Sequence, residues 1–150
     1  LVASLVIGER FDDLATLCVA KLKKRDSAHA RLLLAKAYER TQNYTKVLEA
    51  LEPAQRRFPD DFLINLATAA ALLRQGTDDA SFARAAQLIG RAEKAAGNSP
   101  TPDQMVNLLV ARGLLFALLD QSEAARANLQ RVLEADPSRE DVREVLKLIQ

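Results

Sequence analysis

Two stretches of this chain repeat one another. Tyr44-Thr45-Lys46-Val47-Leu48-Glu49-Ala50-Leu51 leads to Pro59, and Ser122-Glu123-Ala124-Ala125-Arg126-Ala127-Asn128-Leu129 leads to Pro137 with matching offsets. Repetition on this scale points to copies of one small unit that must stack, because a single unit cannot bury its apolar stripe alone. The unit is helical. Apolar residues recur at spacings of three and four through nearly every window, broken at Gly8, Asp26-Ser27, Gln42-Asn43, Pro59-Asp60, Gly76-Thr77, Gly97 to Pro102, Gln121 and Asp136-Pro137. That punctuation predicts about nine helices. Alanine (26) and leucine (25) far outnumber valine plus isoleucine (13), and aromatics are only 5%, so helix formers dominate and the predicted class is all-α. Helix starts are marked too. Thr101-Pro102-Asp103-Gln104 sets a hydroxyl at the N-cap, Pro at N1 and Gln at N3, and Ser138 is expected to cap the last helix in the same way. The pairs Asp12-Asp13, Asp60-Asp61 and Asp78-Asp79 also fall at starts, where the positive helix end favours carboxylates. They are read as caps and not as an acid/base pair, since adjacent residues on a helix do not face each other.

Laid out on a 34-residue period, the chain resembles the tetratricopeptide repeat family, a helix–turn–helix with small residues at positions 8 and 20, large apolar ones at 11 and 24, and Pro at 32. With Ala28 as position 1, residues 28–61 put Ala35 at 8, Tyr38 at 11, Tyr44 at 17, Val47 at 20, Leu51 at 24, Ala54 at 27 and Pro59 at 32. With Val106 as position 1, residues 106–139 put Leu109 at 4, Gly113 at 8, Phe116 at 11, Ala125 at 20, Leu129 at 24, Val132 at 27 and Pro137 at 32. The two prolines are 78 residues apart, two periods plus ten, so the unit at 62–105 must carry insertions. Ala69, Leu72 and Gly76 fit positions 8, 11 and 15. Ala85, Ile89 and Ala92 fit 20, 24 and 27 once four residues are added around Thr77–Ser81, and the other six fall between Ala96 and Met105. Arg31, Leu34-Ala35, Thr68 and Arg112 depart from the family's choices, and Asn65 stands where a large apolar residue is expected.

The resemblance implies one domain over 1–150: an α-solenoid of stacked antiparallel helix hairpins, wound as a right-handed superhelix of about three repeats. Residues 1–27 read as a partial repeat, with Phe11, Leu14, Cys18 and Leu22 at core spacing. Residues 140–150 read as a capping helix, Val142, Val145, Leu146 and Ile149 on one face and charged side chains on the other. Small residues at Ala35, Ala69, Gly113, Ala85 and Ala125 allow close helix approach, while Tyr38, Phe116, Leu51, Ile89 and Leu129 fill the space between hairpins.

Reactive chemistry is not visible. His29 is the only histidine and Cys18 the only cysteine, which excludes an internal disulfide, a His pair for metal and a Cys cluster. Cys18 is read as a small buried hydrophobe. The five glycines form no phosphate loop, so neither a cofactor nor a metal is expected, and the chain is read as a non-enzyme. A net charge of +1 implies no polyanion partner. The run Lys21, Lys23, Lys24 and Arg25 lacks an aromatic ladder for base stacking, and nucleic acid is not expected. Leu1 to Ile7 are apolar but reach Glu9 and Arg10, too short to span a bilayer, and are read as the end of a helix. The thiol count leaves cytosol and periplasm equally open. Met105 is the only methionine, and the chain is expected to be a segment of a longer, bacterial-type protein.

In the family, positions 2, 5, 9, 12 and 13 of each first helix commonly face a concave groove that binds polypeptides. The resemblance therefore implies His29, Leu32, Lys36, Glu39 and Arg40 from the first repeat; Leu63, Leu66, Ala70, Leu73 and Arg74 from the second; and Asn107, Val110, Leu114, Ala117 and Leu118 from the third. Members that bind acidic chaperone tails carry Lys, Asn and Arg at positions 2, 5, 6 and 9, where this chain has mostly Leu, Ala and Val. The expected occupant is instead an apolar or amphipathic peptide or helix. The alternatives are self-association into a homo-oligomer, or a regulatory or docking role within a larger protein.

Overall fold

The computed structural model describes residues 11–24, 27–76 and 78–149. Among them the chain forms eight helices and no strand: α1 Phe11–Lys24, α2 Ala28–Arg40, α3 Tyr44–Arg57, α4 Phe62–Gln75, α5 Asp79–Ala96, α6 Pro102–Leu118, α7 Ser122–Ala135 and α8 Glu140–Leu148. Segment 1–7, Arg25 and the side chains of Phe11, Asp12, Leu14, Lys21, Leu22, Lys23 and Lys24 lie outside the described residues. The architecture is an α-solenoid. Each helix packs on the next in sequence, and the alternate helices α2, α4 and α6 also pack side by side, forming one continuous layer.

Caps start the helices where the punctuation falls. Ser27, Asn43, Asp61 and Asp78 accept from the backbone N–H three residues on. Thr101 and Gln104 form a reciprocal capping box, Thr101 Oγ1 accepting from Gln104 N at 3.2 Å and Gln104 Oε1 from Thr101 N at 2.9 Å. Ser138 corrects the expectation for the last helix. Its N–H and hydroxyl donate to Asp136 Oδ1, and the N-cap is Arg139, which makes no side-chain cap. Asp136 lies closer to the turn and captures the serine first.

The core is divided. One cluster joins α1, α2 and Ala50 of α3 through Ala15, Cys18, Leu34 and Ala37; another joins α2, α3 and α4 through Ala35, Val47, Leu51 and Ala71. A larger one joins α4, α5 and α6 around Ala69, Ala85, Ile89 and Ala111, and the last joins α6, α7 and α8 through Leu109, Leu129, Val132 and Val142. The small-residue positions Ala35, Ala69, Ala85 and Ala125 are all buried between helices. A Cβ on Gly113 would lie 2.6 Å from Leu129 Cδ2, so any side chain there would have to displace Leu129 between α6 and α7. Buried Asn65 donates to the carbonyl of Pro59 at 2.9 Å, and Thr68 to Ile64 O at 2.7 Å, so both polar residues tie off backbone acceptors. Arg112, the other off-pattern residue, pairs with Glu93 across α5 and α6.

The ten extra residues enter mostly as helix. α5 has 18 residues where α3 and α7 have 14, and α6 has 17 where α2 has 13. Each is longer by about one 3.6-residue turn, which returns the apolar stripe to nearly the same face.

Candidate functional site

The layer of α2, α4 and α6 lines a groove of about 410 Å³. Leu32, Ala35, Lys36 and Glu39 come from α2, Leu63, Leu66, Ala67, Ala70 and Arg74 from α4, and Asn107, Val110, Ala111 and Leu114 from α6. The residues on each helix recur at spacings of three and four, so one face of each first helix turns to the same space. Leu63 is 50% exposed, a large apolar side chain held in water on the groove wall. Val47 and Leu51 of α3 close the floor, and Arg139 and Asp141 at the start of α8 form the far wall.

A second space of about 560 Å³ adjoins the first at the C-terminal ends of α2 and α4, lined by Lys36, Glu39, Arg40, Gln42, Tyr44, Arg74 and Arg139. Lys36, Glu39, Arg74 and Arg139 border both, so the two are continuous. The Arg74 guanidinium donates to the Tyr44 hydroxyl at 3.3 Å and stacks over its ring at 5.8 Å. Arg139 donates to both carboxylate oxygens of Asp141, at 2.9 and 2.8 Å. This bidentate hydrogen bond holds the Asp141 carboxyl below its ordinary range and raises the arginine. No carboxylate among the described residues pairs with Lys36.

Of the side chains expected at the groove, Leu32, Lys36, Leu63, Leu66, Ala70, Val110 and Leu114 line the first space, together with Glu39, Arg74 and Asn107. Arg40 lines the second. Leu73 does not face either. It is 3% exposed, packed with Leu72, Leu88 and Leu115 in the core, because α4 is covered by helices on nearly every side. His29, Ala117 and Leu118 also lie off both spaces, His29 at the first turn of α2 and the other two at the last turn of α6. Arg139, the last position of the third repeat, and Asp141, in the first turn of α8, escaped the sequence reading because the expected groove positions all lie on the first helices of the hairpins. Among the described residues no His, Cys, Asp and Glu gather as a metal site, and no helix is long and apolar enough to cross a membrane.

No family model matches the chain, and no curated protein is significantly similar to it in sequence. In three dimensions it is similar to a thermophilic TPR protein of Thermus thermophilus, with a TM-score of 0.75 over 99% of this chain and 77% of that one, at 24% sequence identity.

Proposed function

We propose that this chain, which has the fold of a tetratricopeptide-repeat solenoid, is a protein-binding scaffold whose groove takes an apolar or amphipathic peptide or helix. The observation that carries the reading is the apolar strip Leu32, Leu63, Leu66, Val110 and Leu114, drawn from three successive first helices and opening on one space. Leu63, 50% exposed, and the half-buried Leu32, Val110 and Leu114 gain by being covered, while Leu66 is already buried beneath them. Because only Leu63 is largely exposed, covering the strip gives less than the about 1.5–3 kcal/mol per side chain of full burial, a few kcal/mol gross. Association costs of about 4–15 kcal/mol mean that apolar burial alone gives a weak complex, and polar contacts along the groove must add to it. Binding and not catalysis is the proposed work, in keeping with a groove lined mostly by leucine and alanine.

Leu63→Lys combined with Leu114→Lys tests this, read out on peptides selected from a random library against the intact chain. Affinity should fall by roughly a hundredfold, with the helical circular dichroism spectrum unchanged. Unchanged affinity would overturn the groove assignment.

A second reading is favoured by Leu118 and Leu119, 45% and 40% exposed at the end of α6 and outside both spaces. They form an edge on which another copy, or another part of a longer protein, could sit. Sedimentation equilibrium distinguishes the two readings, since a monomer at every concentration removes self-association.

A further inference from the structure

We infer, resting on the reading that the groove takes a polypeptide, that Arg31 is a positioning residue for that groove. It sets the floor from behind, by holding the backbone of α3 where Pro53 interrupts it. Val47 and Leu51 of α3 form the floor, and Pro53 follows them inside the same helix. Proline has no N–H to give the Glu49 carbonyl four residues back, and its ring crowds that oxygen, so the helical ladder is weakened beside the floor. Arg31 meets α3 at this point. Half-buried on α2, it donates from Nη1 to the carbonyl oxygen of Ala50, the residue next to Glu49, at 3.2 Å.

The surroundings of α3 make that contact matter. Besides the groove, the helix borders a cleft of about 350 Å³, where Lys46, Glu49 and Ala50 line the same space as Val19, Arg31 and Tyr38. A helix with open space along two sides is less enclosed by packing than one in the core, so a directed hydrogen bond does more to fix its place.

The other repeats supply an internal comparison. Arg31 stands at position 4 and Pro53 at position 26 of the first repeat. The third repeat has Leu109 and Arg131 at those positions, and Leu109 is 3% exposed within an apolar cluster. In the second, Arg91 stands at 26, and Asn65 at 4 donates to Pro59 in the preceding turn and not to α5. A position-4 side chain that reaches across to the second helix thus accompanies the one second helix that carries an internal proline.

Two measurements on the intact chain test the inference: fluorescence anisotropy of a peptide selected on it from a random library, and methyl NMR spectra of Val47 and Leu51. Arg31→Met keeps the apolar stem and removes the donor. It should weaken the peptide roughly three- to tenfold and shift both sets of methyl signals, with the helical circular dichroism retained. Arg31→Lys, which restores a donor, should recover most of the affinity. Pro53→Ala completes the ladder of α3, and in that background Arg31→Met should alter neither readout.

Parent-like affinity and methyl signals in Arg31→Met, with capture still lost in Leu63→Lys plus Leu114→Lys, would sink this inference and leave the groove reading standing. An equal loss with and without Pro53 would sink it as well, since Arg31 would then brace the fold in general. If no peptide is enriched, both readings end.

Discussion

The outer hairpins and the middle one turn their corners differently. α2 and α6 end in the same way, with Gln42 and Asp120 in the left-handed region at φ 58°. Asn43 N donates to Tyr38 O and Gln42 N to Glu39 O; Gln121 N and Asp120 N repeat the pattern on Phe116 and Ala117. This is a Schellman closure, which glycine ordinarily serves. The middle hairpin has a glycine at the corresponding place, yet Gly76 is extended, at φ −71° and ψ 141°. There the reason is room, since a Cβ would lie 2.5 Å from Ser81 Cβ and 2.6 Å from the Leu72 carbonyl oxygen. The longer α5 brings its first turn against the end of α4, so steric closeness replaces backbone handedness as the constraint. One repeat position thus answers to two different physical demands.

Substitutions can break or sharpen that contrast. The largest effect is expected at the buried residues that every hairpin shares: Leu129→Ala and Leu51→Ala, both 0% exposed, should each cost about 2–5 kcal/mol in denaturant unfolding. Gly113→Ala should cost about 1–3 kcal/mol through its clash with Leu129, and much of that should disappear in the Leu129→Ala background. Gly76→Ala is expected to lose a similar about 1–3 kcal/mol, because a backbone carbonyl cannot move aside. Gln42→Gly should do the opposite, stabilising by about 1 kcal/mol as left-handed strain is relieved. A neutral Gly76→Ala, or a destabilising Gln42→Gly, would erase the distinction between the two kinds of corner.

The smallest effect is in acid. Asp141 has its folded carboxyl lowered by Arg139, so its contribution is present above the ordinary carboxylate range and is lost as pH falls through the lowered value. Thermal melts between about pH 5 and about pH 2 should show a shallower decline for Asp141→Asn than for the parent.

The spacing of apolar residues carried the helical class and most boundaries, because burial of one face imposes a period that survives substitution. The capping box at Thr101 was equally legible, since both partners are local in sequence. Ser138 was not, because a neighbouring carboxylate competes for it. Leu73 misled for another reason: a residue's position on its own helix does not say how many neighbours enclose that helix, and α4 lies between α2 and α6. The wall at Arg139 and Asp141 brings the start of α8 to a space lined by α2 and α4, a meeting of segments far apart in the chain that leaves no mark in any single repeat.

The core is partitioned into four clusters, joined in part through half-buried Tyr38 and Leu48, and such a partition is expected to behave as short springs in series. A slight rotation at each junction would sum along the array, so the width between α2 and α8 is expected to vary more than any single interface does. An occupant that bridges these walls stiffens the entire coil, and slowed amide hydrogen exchange far from its own footprint would register that tightening.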